Sequence, residues 1–315
     1  MPHSRIHDDL ALHGPDGQVQ LNPAEAMAWC HQLANGHEEN FSVLSRLVPV
    51  DVRDDFAAFY AFCRTADDLG DEIDDPVKSL ELLAWFREQI ELAGRDEATH
   101  PALVAMSSVI KRHQLSTEPL TDLVSAFEQD QRVTRYQTWP ELEDYCRRSA
   151  NPVGRVVLKL LGEPGGEQQI EGSDRICTAL QLTNHWQDVR RDLLERDRIY
   201  IPAVEYAELE NFEVRFRESA IQGWGVDPTF LGESREVIRR CVERTWGFYE
   251  NGVTMIPELG PRARPVIDLF VAGGTSVLRR VEQWNHETVL YRPRLGRFTK
   301  LLLVVKSWLK MRKEA

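Results

Sequence analysis

The 315-residue sequence predicts an all-α protein. Two observations carry that expectation. Apolar residues recur at three- and four-residue spacing through most of the chain, as one face of a helix requires, and period-two runs flanked by turn residues are nearly absent. With a mean helix of about 11–12 residues and short connections, a chain of this length holds roughly ten or more helices. No repeat of fixed period and no mid-chain change of composition marks a linker.

Taken in order, residues 1–21 are polar and carry Gly14, Pro15 and Gly17, which predicts a flexible N-terminal arm. A helix start follows at Asn22-Pro23-Ala24-Glu25. Asn22 can accept from orphan backbone donors, Pro23 suits the first helical turn, and Glu25 stands where a capping-box partner belongs. Helical spacing continues through Phe56, Phe59, Tyr60 and Cys63, then through Leu80, Leu83, Trp85 and Ile90. The stretch TWPELEDY repeats the start signal with Thr138, Pro140 and Glu141, while GEPGGE (162–167) and QGWGVDP (222–228) punctuate helices as loops. One domain is expected over residues 22–291. Residues 292–315, RPRLGRFTKLLLVVKSWLKMRKEA, are strongly basic in an otherwise acidic chain. That tail reads either as an amphipathic helix on an anionic bilayer surface or as a terminal helix docked on the core.

A formal net charge of -12 excludes a general nucleic-acid binder, because phosphate neutralisation needs clustered Lys and Arg. Five scattered cysteines, Cys30, Cys63, Cys146, Cys177 and Cys241, form no CxxC pair and suit a reducing compartment. The N-terminal residues lack a basic-then-apolar signal pattern, and no window is apolar enough to span a bilayer. A cytoplasmic protein is expected, with peripheral contact at the inner membrane surface through the tail.

The chemistry is carried by two acidic clusters. In YAFCRTADDLGDEIDD (60–75), a helix puts Asp67 and Asp71 on one face, with Asp68 beside them and Arg64 and Tyr60 one and two turns earlier. Alone, such a cluster is a solvated helix end. A second one, LQLTNHWQDVRRD (180–192), changes the weighing: Asn184, Asp188 and Asp192 fall at four-residue steps, with Gln181 about a turn earlier. Two helices offering oxygen ligands at this spacing can hold hard cations, and Mg²⁺ suits them because it completes its octahedron with water and substrate phosphates. A diphosphate substrate follows. Such a site, beside a cavity lined by Phe, Leu, Val and Tyr, suits ionisation of an allylic or cyclopropylcarbinyl diphosphate, in which water is kept from the cation. Arg64 and Arg198 are candidates to bind diphosphate oxygens.

YAFCRTADDLGDE (60–72), YCRRSANPVGRVVL (145–158) and ALQLTNHWQDVRRDLLERDRIYIP (179–202) resemble the squalene/phytoene synthase family over roughly residues 25–290. ENFSVLSRLVP (39–49), ANPVG and NHWQDV most resemble its hydroxysqualene synthase branch. The resemblance implies an isoprenoid synthase type helical bundle around a central apolar cavity. It also implies presqualene diphosphate, made by a sister synthase, as substrate, and hydroxysqualene, toward squalene and hopanoids, as product. By that resemblance Asp67 and Asp71 match the first metal motif, Asp188 and Asp192 the second, and Tyr60, Arg64, Gln181 and Asn184 lie near the diphosphate. Tyr145 and Tyr200 resemble cavity aromatics whose faces stabilise a passing cation. Two departures stand out. Glu38 and Glu39 replace a hydroxyl and a basic residue, and Gln187 replaces an arginine, so phosphate-binding capacity is lost. An enzyme handling one diphosphate per turnover fits these changes better than one condensing two. No strand followed by GxGxxG is present, so NADPH is not expected. The alternatives are a squalene, presqualene diphosphate or phytoene synthase and, from another class, a non-catalytic membrane-surface helical protein.

Overall fold

The computed structural model describes residues 5–36 and 47–296. Among these the secondary structure is helical, and the one extended pairing is an isolated parallel bridge between Arg135 and Ile199. The helices are α1 (Arg5–His13), α2 (Pro23–Gly36), α3 (Arg53–Asp71), α4 (Pro76–Ala93), α5 (Pro101–His113), α6 (Glu118–Asp130), α7 (Trp139–Ser149), α8 (Asn151–Leu160), α9 (Glu167–Arg196), α10 (Phe212–Gln222), α11 (Pro228–Gly252) and α12 (Arg264–Gln283).

The chain divides into two compact units, Met1–Arg132 with Pro152–Gly165, and Val133–Asn151 with Gly166–Ala315. The crossings coincide with helix ends and a short loop instead of a linker, so composition does not mark them.

In the first unit α3 packs on α2, α4, α5 and α6. Phe59, Phe62 and Phe86 stack through its core at centroid separations of 6.3 and 5.6 Å. Helix α2 starts as its sequence requires: Asn22 Oδ1 accepts from the Ala24 and Glu25 amides, and the Asn22 amide donates to Glu25 at 3.0 Å. The segment read as a flexible arm departs from expectation, because it contains α1. Ile6, Asp9 and His13 are buried there, and Asp9 accepts from His100 Nε2 at 3.1 Å. The Ala102 amide donates to His100 Nδ1, which fixes the neutral tautomer with its proton on Nε2. The anchor of α1 is thus a polar pair 91 residues apart, invisible to hydrophobic periodicity.

The second unit is organised by α9, a 30-residue helix packed on α7, α10, α11 and α12. Trp186 is fully buried and donates through Nε1 to Thr245 Oγ1 at 2.8 Å. Helix α9 and the end of α11 meet backbone to backbone: a Cβ on Gly252 would stand 2.7 Å from Ile176 Cγ1 and 3.0 Å from the Gly172 carbonyl oxygen. The loops at 162–167 and 222–228 appear where expected, with Gly162, Gly165 and Gly223 at positive φ. At 138–141 the helix begins as predicted, although Glu141 accepts from the Gln137 amide, one residue earlier than a capping box would place it. None of the described helices is long and apolar enough to cross a membrane.

Candidate active site

Both acidic clusters lie near helix C-termini, where the macrodipole opposes negative charge. In the first unit, Asp67, Asp68 and Asp71 occupy the last turns of α3, and neighbouring helices hold that end in place. The Leu69 carbonyl accepts from Ser79 Oγ at 2.8 Å and the Gly70 carbonyl from Gln131 Nε2 at 2.7 Å, which satisfies two of the orphan acceptors. A Cβ on Gly70 would stand 3.2 Å from Phe127, so α6 approaches closely there.

Arg64 answers the charge from within the helix. Its Nη2 bonds the buried Asp68, and its Nη1 lies 3.3 Å from Asp67. Burial works against the guanidinium charge, yet the Asp68 hydrogen bond and both carboxylates hold its pKa above the ordinary value. Tyr60, one turn earlier, is half-buried, and burial pushes its hydroxyl pKa up. The first-motif residues Tyr60, Arg64, Asp67 and Asp71 are therefore neighbours on one helix, with Asp67 and Asp71 partly open to solvent.

In the second unit, α9 is unbroken from Gln181 to Asp192, so Asn184, Asp188 and Asp192 stand on successive turns of one face. Asn184 is exposed and Gln181 half-buried, whereas Asp188 and Asp192 are each only 7% exposed. Burial, with Asp188 one turn away, pushes the Asp192 carboxyl up to about 7.

Helix α9 ends at Asp197, whose φ of 52° turns the chain back, while the Arg198 amide donates to the Asp192 carbonyl. Residues 199–203 then run beside 134–137, through Ile199 N to Thr134 O and Ala203 N to Tyr136 O. That return brings two further predicted residues together: Tyr200 lies 5.7 Å from Tyr145 by ring centroids, with Tyr136 5.5 Å from Tyr145. His185 stacks on Tyr200 at 3.7 Å. Burial, reinforced by Arg198, holds it neutral, with its pKa lowered to about 3. His185, Asp192, Arg198 and Tyr200 line a chamber of about 10 Å³, room for roughly one water. An open depression of about 560 Å³ bounded by Val204, Tyr206, Phe212 and Val214 contains none of the predicted site residues.

Arg292, which the sequence offers only as a weakly matched diphosphate contact outside the candidate site, belongs to this cluster. Its guanidinium chelates Asp188, Nε to Oδ1 and Nη2 to Oδ2 at 2.8 Å. The reversal to a basic composition at 292 was the available signal, but nothing in sequence indicates a contact 104 residues away. Arg191 adds weaker pairs, 3.4 Å from Asp188 and 3.6 Å from Asp192.

The donor set fits a divalent cation. Two buried carboxylates one turn apart on α9 repel each other, and a cation between them offsets that repulsion. Among the described residues, no three acidic, histidine or cysteine side chains converge as a finished metal cage. Each helix offers carboxylate ligands and leaves coordination sites for water or phosphate, as Mg²⁺ prefers. Glu38, Glu39 and residues 297–315 of the tail lie outside the described residues.

The sequence matches the squalene/phytoene synthase family over residues 34–299. The chain belongs to that family. Members of the squalene/phytoene synthase family are enzymes that process prenyl diphosphates. A hydroxysqualene synthase of Rhodopseudomonas palustris is 39% identical over 166 residues, which is 52% of this chain and 55% of that protein. The chain thus spans about half the length of such curated relatives. The crystal structure of squalene synthase HpnC from Alicyclobacillus acidocaldarius superposes with a TM-score of 0.73 at 34% identity, over 84% of this chain and 95% of that one. A dehydrosqualene synthase structure superposes with a TM-score of 0.76 at 21% identity, over 92% of this chain and 98% of that one, and shows the shared all-α isoprenoid synthase fold.

Proposed function

We propose that this member of the squalene/phytoene synthase family ionises presqualene diphosphate and delivers hydroxysqualene. The observation that carries the reading is the buried Asp188–Asp192 pair, one turn apart on α9 and matched by cationic side chains. Asp67 and Asp71 on α3, and Asp188 and Asp192 with Asn184 on α9, are the residues that would hold magnesium. When bound, the metal neutralises charge developing on the departing diphosphate.

The remaining steps fall to the chain. In the first unit Arg64, with Tyr60 one turn away, binds and orients diphosphate oxygens; in the second, Gln181 and Arg198 are the residues for that role. The substrate's C–O bond breaks and both electrons leave with the diphosphate. The cyclopropylcarbinyl cation rearranges with its ring opening, faced by Tyr145 and Tyr200, whose ring quadrupoles stabilise positive charge without acting as nucleophiles. A water oxygen then bonds to the cation and loses a proton, which gives hydroxysqualene with no change of oxidation state and no need for NADPH.

Support comes from the hydroxysqualene synthases among its relatives and from the loss of phosphate-binding residues at Glu38, Glu39 and Gln187. The basic tail is proposed to rest on an anionic bilayer, close to an apolar product. Incubating the protein and magnesium with presqualene diphosphate or farnesyl diphosphate separately tests the substrate. Consumption of presqualene diphosphate alone is expected. Consumption of farnesyl diphosphate would place the protein in the condensing branch. Inertness toward both, with no rise in Tm on adding magnesium and diphosphate, would leave a non-catalytic helical protein.

A further inference from the structure

The segment after α12 is tied down at three consecutive residues. Tyr291 accepts a hydrogen bond from Trp224 Nε1 at 2.8 Å and meets the edge of Trp284 at 5.8 Å between ring centroids. Arg292 chelates Asp188. The Pro293 carbonyl accepts from Gln187 Nε2, and Pro293 itself is buried. A carbonyl only accepts, so the Gln187 amide must present its nitrogen, and its orientation is fixed. Pro293 also locks its own φ, which stiffens the strap next to the arginine.

These contacts set up a competition. Asp188 has two carboxylate oxygens, and the guanidinium occupies both. Each oxygen keeps a second lone pair, so a metal at either one competes with the guanidinium for the same carboxylate charge and weakens these hydrogen bonds. A guanidinium on a loose chain would then leave the site. Here the Gln187–Pro293 bond holds the backbone one residue away, so the displaced cation stays within reach of an arriving anion. Gln187 makes this contact from the residue immediately before Asp188 on the same helix.

We propose that Gln187 is a positioning residue: by holding the Pro293 carbonyl it presents Arg292 to Asp188 as a tethered, displaceable counter-ion. The part of this inference that concerns magnesium and diphosphate rests on the function proposed above; the tether itself does not.

The test compares wild type with Gln187→Met, which has similar length but no donor, Gln187→Lys, which keeps a donor, Arg292→Ala, and the double variant Gln187→Met/Arg292→Ala. Magnesium alone and magnesium with inorganic diphosphate are titrated calorimetrically. Tryptic cleavage after the exposed Arg294 is timed in metal-free protein. Losing one hydrogen bond should change these readouts roughly 3- to 10-fold.

Gln187→Met is expected to bind magnesium alone more tightly, because its competitor is looser, and to bind diphosphate in the presence of magnesium more weakly. It should also be cleaved faster after Arg294. Gln187→Lys should restore slow cleavage. In the Arg292→Ala background the Gln187→Met change should alter neither binding constant, as expected when one residue acts through another. Cleavage unchanged by Gln187→Met, or a binding effect that persists without Arg292, would overturn the inference. If wild type binds neither magnesium nor diphosphate, the functional reading fails while cleavage still decides the tether.

Discussion

The two acidic clusters share a spacing but are neutralised in different ways. On α3 the counter-charge is local: Arg64 reaches Asp67 and Asp68 from three and four positions earlier on the same helix. On α9 the main counter-charge to Asp188 is Arg292, 104 residues away in sequence. Exposure differs too, since the Asp67 side chain is 40% exposed and those of Asp188 and Asp192 are 10%. Asp67, half-exposed, costs little to keep in water, and the buried Asp68 beside it has Arg64 one turn away on the same helix. A buried pair must keep a cation, so the second cluster should respond more sharply to losing or gaining charge.

The largest predicted effect follows from that contrast. Asp188→Asn removes a buried carboxylate proposed to hold magnesium and should reduce turnover by about 10²–10³-fold, the scale of losing one well-placed electrostatic group. Its circular dichroism should stay native, and near-wild-type turnover would break the comparison. Next comes Arg64→Lys. Lysine keeps the charge but lacks the planar fork that spans two carboxylates, so a loss of about tenfold in kcat/KM is expected, with less than tenfold lost in metal affinity. Equal damage to metal binding would show that Arg64 serves the carboxylates more than the substrate.

A third substitution sharpens the difference without touching either cluster. Asp9→Ala leaves the His100 N–H buried without its partner and should destabilise the first unit by about 1–3 kcal/mol, seen as a lower denaturant midpoint. Turnover at low temperature should be unchanged, and a stability equal to wild type would show that α1 does not depend on the pair. The smallest effect belongs to Arg191→Ala. Its contacts are 3.4 and 3.6 Å and its side chain is 38% exposed, so less than about 1 kcal/mol of stability should be lost.

Much of this was legible in sequence because it is local. The Asn22–Glu25 cap, the glycine-marked loops and both carboxylate ladders depend on residues within a few positions of one another. Helix geometry alone carries Asp188 to Asp192. What escaped the sequence depends on pairs far apart along the chain. Helix α1 has too small an apolar face to stand out until His100 meets Asp9. Arg292 reads as the start of a basic tail until it is found on Asp188. The crossings between the two compact units fall at helix ends and in a short loop, where no linker's composition marks them. The stacking of His185 on Tyr200 has the same character, because it depends on the reversal at Asp197.

The central claim is that the cation formed from presqualene diphosphate is quenched by water and not by hydride. Turnover of presqualene diphosphate with magnesium, in ¹⁸O-enriched water and without NADPH, tests it most directly, with mass analysis of the extracted lipid. The account predicts hydroxysqualene carrying one ¹⁸O atom. An unlabelled hydrocarbon, or turnover that begins only when NADPH is added, would contradict it.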